Sequence, residues 1–221
     1  MKCSKPSKTG TAVSQTRQIA AKLNQAVPVP RVELVHRSPW ELLVATILSA
    51  QCTDQRVNQV TPAVFAKYPS PEDLARAIPQ ELEGLIKPTG FYKNKAKHLI
   101  GCAQAVSTRF GGAVPETMEA LTTIPGVGRK TANVLLGAAF GQPAIVVDTH
   151  VKRVAFRLAL TRSEDPEQIE YDLQGLFPRE QWTGVSQRLL LHGRYTCLAR
   201  KPRCAECPIY DDCTWKGKLL A

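Results

Sequence analysis

From Arg129 onward the apolar residues Ala132, Leu135, Leu136, Ala139 and Phe140 fall at i, i+3, i+4, i+7 and i+8, the stripe of a helix that buries one face. Lys130 lies off that stripe. Upstream, PETMEALTT (Pro115 to Thr123) predicts a short helix, so the stretch reads as helix, tight Pro-Gly-Val-Gly turn, helix. Other helix starts carry proline at the first helical position and Asp, Glu or Gln at the third: Ser38 to Glu41, Ser70 to Asp73 and Asp165 to Gln168. Alternating apolar and polar runs joined by hairpin turns are missing, and Ala144 to Asp148 (AIVVD) is a lone β-branched run without an evident partner. The predicted class is all-α. Pro62 interrupts the segment 53–68 and predicts two short helices or a kink, and Gly141 to Pro143 is the most plausible internal break.

Composition narrows the partners. The 221 residues allow one large domain or two small ones. Lys and Arg number 29 against 19 Asp and Glu, a net charge of +10 that suits a polyanion, with nucleic acid ahead of an anionic membrane surface. The longest uninterrupted apolar run, Leu42 to Ala50, is too short to span a bilayer. Residues 1–16 read as a disordered basic tail, and they carry no apolar segment of the kind a signal peptide needs. Seven cysteines in a chain that reads as cytosolic argue for metal binding over disulfides.

The turn around Gly126 and Gly128 resembles a nucleotide P-loop only superficially. That motif needs Gly directly before the lysine and another five residues earlier, where this chain has Arg129 and Ile124. Glycines let backbone amides approach another backbone closely, and the next helix adds its positive dipole end, which together make a phosphate cradle. Such a cradle grips DNA without reading sequence. The plain alternative is a helix hairpin with glycines for tight packing and Lys130 as a solvated charge. A cation in the first turn opposes the helix dipole, and that unfavourable placement hints at a chemical role. Asp148, in VVDTHVKRV, is a good helix cap; placed beside Lys130 it would also move protons and stabilise a cationic sugar intermediate.

Cys197, Cys204, Cys207 and Cys213 form a C-x6-C-x2-C-x5-C array. Four thiolates suit a [4Fe-4S] cluster or structural zinc, and spacing alone does not separate them. Arg200, Lys201 and Arg203 lie between the first two cysteines, so ordering the loop around a metal would present a fixed basic edge to phosphates. Cys3, Cys52 and Cys102 lack ligand spacing and read as ordinary thiols.

The segments LTTIPGVGRKTANVLL, VVDTH, LHGRYTC and the cysteine array, in this order and separation, resemble the endonuclease III family of helix-hairpin-helix DNA glycosylases and AP lyases, from about Ile19 to Trp215. The resemblance implies a two-lobed all-α fold: a six-helix barrel near 32–142, and a second lobe of 17–31 with 143–221 holding one [4Fe-4S] cluster on the four cysteines. It implies Lys130 as the nucleophile, Asp148 as the assisting carboxylate, and double-stranded DNA with damaged pyrimidines or abasic sites as substrate. The base is flipped out of the duplex because its target atom is unreachable in the stack. Gln51 corresponds to the residue that fills the vacated space. Phe91 sits where the family carries an apolar wedge, and is bulkier than the expected leucine. Ser49, Asp54 and His150 are implied as base-pocket residues, and each equally suits a core or capping role. Gly126, Gly128 and Arg129, with the basic loop, are implied to contact DNA. A monomeric, cytoplasmic bacterial protein working at the nucleoid completes the expectation. Adenine-mismatch glycosylases share the hairpin, the aspartate and the cluster but lack the lysine; a non-catalytic helix-hairpin-helix module would give Lys130 and Asp148 no joint role.

Overall fold

The computed structural model describes residues 8–219, and these contain α-helices and short 3-10 turns with no strand. Among the described residues the backbone divides into two compact units, 32–142 and the residues on either side of that stretch. Among the described residues no helix is long and apolar enough to cross a membrane.

In the 32–142 unit, α2 (Pro39–Leu48), α3 (Asp54–Lys67), α4 (Pro71–Ala75), α5 (Pro79–Ile86) and α6 (Tyr92–Arg109) lead to α7 (Met118–Thr122) and α8 (Arg129–Ala138). The proline starts behave as their chemistry dictates. Ser38 accepts the Glu41 amide at the head of α2, and Ser70 with Asp73 makes a full reciprocal capping box at α4. Helix α2 is buried on nearly every side, α4 and α5 pack on α6, and α2 and α7 pack on α8. Pro62 neither splits nor ends α3. It falls on the exposed side while Val57, Val60, Thr61 and Val64 bury the opposite face on both sides of it, so packing offsets the lost backbone bond.

In the other unit, α1 spans Lys8–Ala26, followed after the break by α9 (Thr149–Arg157), α10 (Pro166–Leu176) and α11 (Trp182–Tyr195). The expected tail over 1–16 therefore gives way to helix from Lys8, and its first seven residues lie outside the described ones. Ile19 and Leu23 join Ile145, Val151, Val154, Ile169, Leu173 and Leu189 in one core, which draws the amino-terminal helix to the carboxyl-terminal half. The Lys22 ammonium meets Asp212 at 2.7 Å, and Arg188 donates to the carbonyls of Val27 and Pro28. The β-branched run Ala144 to Val147 stays extended without a neighbouring strand. Side chains of α11 replace one: Thr183 Oγ1 accepts the Ala144 amide, while Ser186 Oγ accepts the Val146 amide and donates to the Val146 carbonyl.

Candidate nucleic-acid interface and cysteine centre

The hairpin is held by apolar anchors. Leu121, Ile124 and Val127 are buried, and the Val127 amide donates to the Ile124 carbonyl at 3.0 Å to close the turn. Gly126 has φ 81°, and a Cβ there would stand 2.9 Å from the Cβ of His98 on α6, so dihedral and space both require glycine. Gly128 is the extended N-cap of α8 and brings no side-chain oxygen to that end. The positive end of α8 is thus open to an external anion. Arg129 is half-buried, and Lys130, the second residue of α8, is exposed, off the stripe of Ala132, Leu135 and Leu136.

Two further loops of this unit hold expected contact residues in strained backbone. Gln51 follows α2 with φ 52°, and Phe91 precedes α6 with φ 48°; both are exposed, Phe91 by 65%. Non-glycine residues rarely adopt left-handed backbone, and such outliers concentrate at functional sites. Ser49 is half-buried and donates its hydroxyl to the Thr46 carbonyl, a local helix-end contact. Asp54 opens α3, but Thr53 is the cap.

Asp148 ends the extended run of the other unit and caps α9. Its Oδ1 accepts the amides of His150 and Val151 at 2.9 and 2.7 Å, leaving the half-buried carboxylate in a fixed orientation. His150 is half-buried, with Nδ1 3.2 Å from the Arg153 guanidinium. Gly193 of α11 lets that helix approach α9, since a Cβ there would lie 2.9 Å from the His150 Cβ.

The four cysteines of the array line one cavity, with Val154, Arg157, His192, Ile209 and Trp215 around them. None is in a disulfide. Burial pushes the Cys207 thiol up, the Ile209 amide opposes this, and the other three sulfurs raise it further, as expected of thiols sharing a pocket. Among the described residues no three His, Cys, Asp or Glu side chains converge as a single metal ion requires. Four thiols on one cavity supply the donor set that a [4Fe-4S] cluster takes. Arg157 is buried beside them. It donates to Cys197 Sγ at 3.2 Å and to the Leu198 and Ala199 carbonyls, and its guanidinium stacks 3.9 Å from the Trp215 ring. Burial holds His192 neutral, its pKa lowered to about 4, with Nε2 3.7 Å from Cys207 Sγ. Arg200, Lys201 and Arg203 are exposed around buried Pro202, and the Arg203 amide donates to the Thr196 carbonyl across the loop.

The 32–142 unit therefore carries Ser49, Gln51, Asp54, Phe91, Gly126, Gly128, Arg129 and Lys130, and the other unit carries Asp148, His150, the cysteines and the basic loop. Pattern reading passed over Arg157, His192 and Lys95. The signal for Lys95 was present: it stands on the buried stripe of α6 with Leu99, Cys102 and Val106, where an apolar residue belongs.

A family model described as HhH-GPD superfamily base excision DNA repair protein matches residues 44–179, and one described as iron-sulfur binding domain of endonuclease III matches 197–213. Endonuclease III of Synechocystis sp. is 48% identical over 207 residues, covering 93% of this chain and 94% of that protein. A non-covalent endonuclease III–DNA complex and a trapped endonuclease III–DNA covalent intermediate each superpose with TM-score 0.88 at 42% identity, over 91% of this chain and 95% of the other.

Proposed function

Given that the chain belongs to the endonuclease III family, within the HhH-GPD base excision DNA repair superfamily, we propose that it removes damaged pyrimidines from duplex DNA and cuts the resulting abasic strand through a Schiff base on Lys130. It is a DNA glycosylase and AP lyase that carries a [4Fe-4S] cluster. Cys197, Cys204, Cys207 and Cys213 are the residues we assign to the cluster, which when bound ties the ends of the 197–213 segment together. The assignment is supported by their shared cavity.

The observation that carries the reading is an exposed lysine one residue inside a helix whose preceding turn is shaped to take a phosphate. The turn grips the strand through backbone amides, which leaves the Lys130 side chain for chemistry. The neutral Nζ attacks C1′ of the flipped nucleotide; the C1′–N bond breaks, and the base leaves with the electron pair and takes up a proton. The C1′–O4′ bond then opens, with O4′ taking up a proton that the nitrogen gives up, and the protonated imine that results acidifies C2′. Loss of a C2′ proton and rupture of the C3′–O bond expel the 3′-side phosphate, and water then releases the lysine. Asp148 is the group we assign to proton transfer and to stabilising the cationic sugar. A carboxylate fixed by two amides reaches such a role without reorganisation. Gln51 and Phe91 enter the duplex, and their left-handed backbone supports insertion from preformed, rigid loops. We read the protein as a monomer working at the nucleoid of a bacterial cell.

Borohydride tests the reading. Reducing the imine on abasic-site DNA should leave a covalent protein–DNA complex, and Lys130→Ala should abolish that complex while still binding DNA, because the turn supplies the phosphate grip. Trapping that persists in Lys130→Ala moves the nucleophile elsewhere, and no trapping by the unaltered protein rejects the lyase mechanism.

A further inference from the structure

Lys95 is 4% exposed, on the inward face of α6. A buried ammonium is costly unless its donors are met. Here both hydrogen bonds go to backbone carbonyls, Leu48 O and Thr89 O, each at 2.8 Å. Leu48 is the last residue of α2, and Thr89 is the last residue of the 3-10 turn Lys87–Thr89. Carbonyls at helix ends lack partners of their own and carry the negative end of the dipole, so one cation satisfies two such ends at once. Burial pulls the Lys95 pKa down, with Cys52 opposing, as expected of a group held in place by geometry at an electrostatic cost.

The residues just beyond each carbonyl give this bridge its meaning. Three positions after Leu48 is Gln51, and two after Thr89 is Phe91, both non-glycine residues in left-handed backbone. The backbone of Lys95 also donates to the Phe91 carbonyl at 3.0 Å. Strained residues of this kind persist only where the surroundings over-determine them. We propose that Lys95 is a positioning residue that locks the Gln51 loop and the Phe91 loop to one another, so that the two duplex-entering side chains act as a single rigid unit. The proposal rests on the insertion roles given above to Gln51 and Phe91. Lys95 acts on the DNA only through those loops.

The test compares two substrates and a mutant cycle. Lys95→Met keeps the length of the side chain and removes the donors, and thermal melting and circular dichroism establish that it is folded. Single-turnover excision of an oxidised thymine from duplex DNA should slow about 100-fold, the scale of a misplaced functional group. Borohydride trapping on single-stranded abasic DNA needs no disruption of base pairs and should be retained. Adding Lys95→Met to the Gln51→Ala/Phe91→Ala pair should cost little more, because the lock has nothing left to position. Lys95→Gln, which retains a donor, should recover part of the duplex rate, and it replaces Lys95→Met in every arm if the methionine variant does not fold. Equal loss on both substrates, or a Lys95 defect that adds in full to the pair, would overturn the coupling while leaving the insertion roles intact. Full duplex activity in the Gln51→Ala/Phe91→Ala pair would instead remove the insertion roles themselves, and the coupling with them.

Discussion

The hairpin and the cysteine loop both turn basic residues toward solvent, yet they are held by opposite means. The hairpin needs no ligand: three buried apolar side chains and one glycine against His98 define its path. The cysteine loop buries two apolar side chains of its own, Pro202 and Ile209. The Arg157 guanidinium and the Lys22–Asp212 ion pair add to these, and the four thiols on one cavity make its order depend in part on what the sulfurs bind. The difference teaches that chemistry and shape are separable in this protein. At the hairpin the reactive side chain can be removed without touching the backbone that grips DNA; at the cysteine loop the shape can be lost without touching any reacting group.

The largest expected effect changes chemistry while keeping shape. Asn also caps helices, so Asp148→Asn should retain the α9 start and the melting temperature, yet slow base release by a factor on the order of 100 to 10,000 if the carboxylate carries proton transfer. Single-turnover excision beside a melting curve measures both. A variant that melts early and excises normally would reverse the assignment and leave Asp148 a cap. The reverse change, shape without chemistry, comes next. Cys204→Ser should lower soluble yield and iron content and weaken DNA binding by about 10- to 100-fold, the usual range for a disturbed metal site. The unaltered protein should be yellow-brown with iron. Stoichiometric zinc without visible colour would reject the iron-sulfur assignment and leave the staple argument standing.

How much of this was legible in the sequence depends on where the cause lies. The helix starts at Ser38, Ser70 and Asp165 were readable because capping is local, a matter of three residues and their side chains. The break at Gly141 to Pro143 was readable for the same reason, and the backbone divides there. Pro62 misled because the burial that keeps α3 whole is tertiary. The tail boundary misled because what orders α1 is the core partner it finds more than a hundred residues later in the chain. The extended run at Ala144 looked partnerless because its partners are two hydroxyls on a helix, which no strand pattern encodes. In the site, residue types and spacing exposed Lys130, Asp148 and the cysteines as candidates. Lys95 was passed over among neighbouring lysines, although it alone of Lys93, Lys95 and Lys97 falls on the apolar stripe of α6.

A smaller effect probes the hairpin's shape directly. Gly126→Ala must hold φ near 81° and push against His98, so it should destabilise the 32–142 unit by about 1–3 kcal/mol. Binding to damaged and undamaged duplex should weaken together, with iron content unchanged because the cysteine centre belongs to the other unit. Thermal melting, filter binding and an iron assay on one preparation check all three. Loss of iron in this variant would break the contrast between a self-held hairpin and a ligand-held loop.

The smallest effect isolates charge from both shape and chemistry. Replacing Arg200, Lys201 and Arg203 together with Ala lowers the net charge from +10 to +7 and leaves the loop's supports in place, because Pro202, the Arg203 amide and the four cysteines are untouched. Every phosphate that these side chains no longer neutralise should make the slope of log affinity against log salt shallower by about 0.9. Phosphates carry no information about the base, so the weakening should be equal on damaged and undamaged duplex and should shrink as salt rises. Titrations at several salt concentrations on both duplexes measure it. An unchanged slope would mean that the loop stands clear of DNA, and its cysteine staple would then serve the stability of its own unit. A weakening confined to damaged duplex would bring the loop to the lesion itself, making the cysteine centre a support for recognition and no longer only for grip.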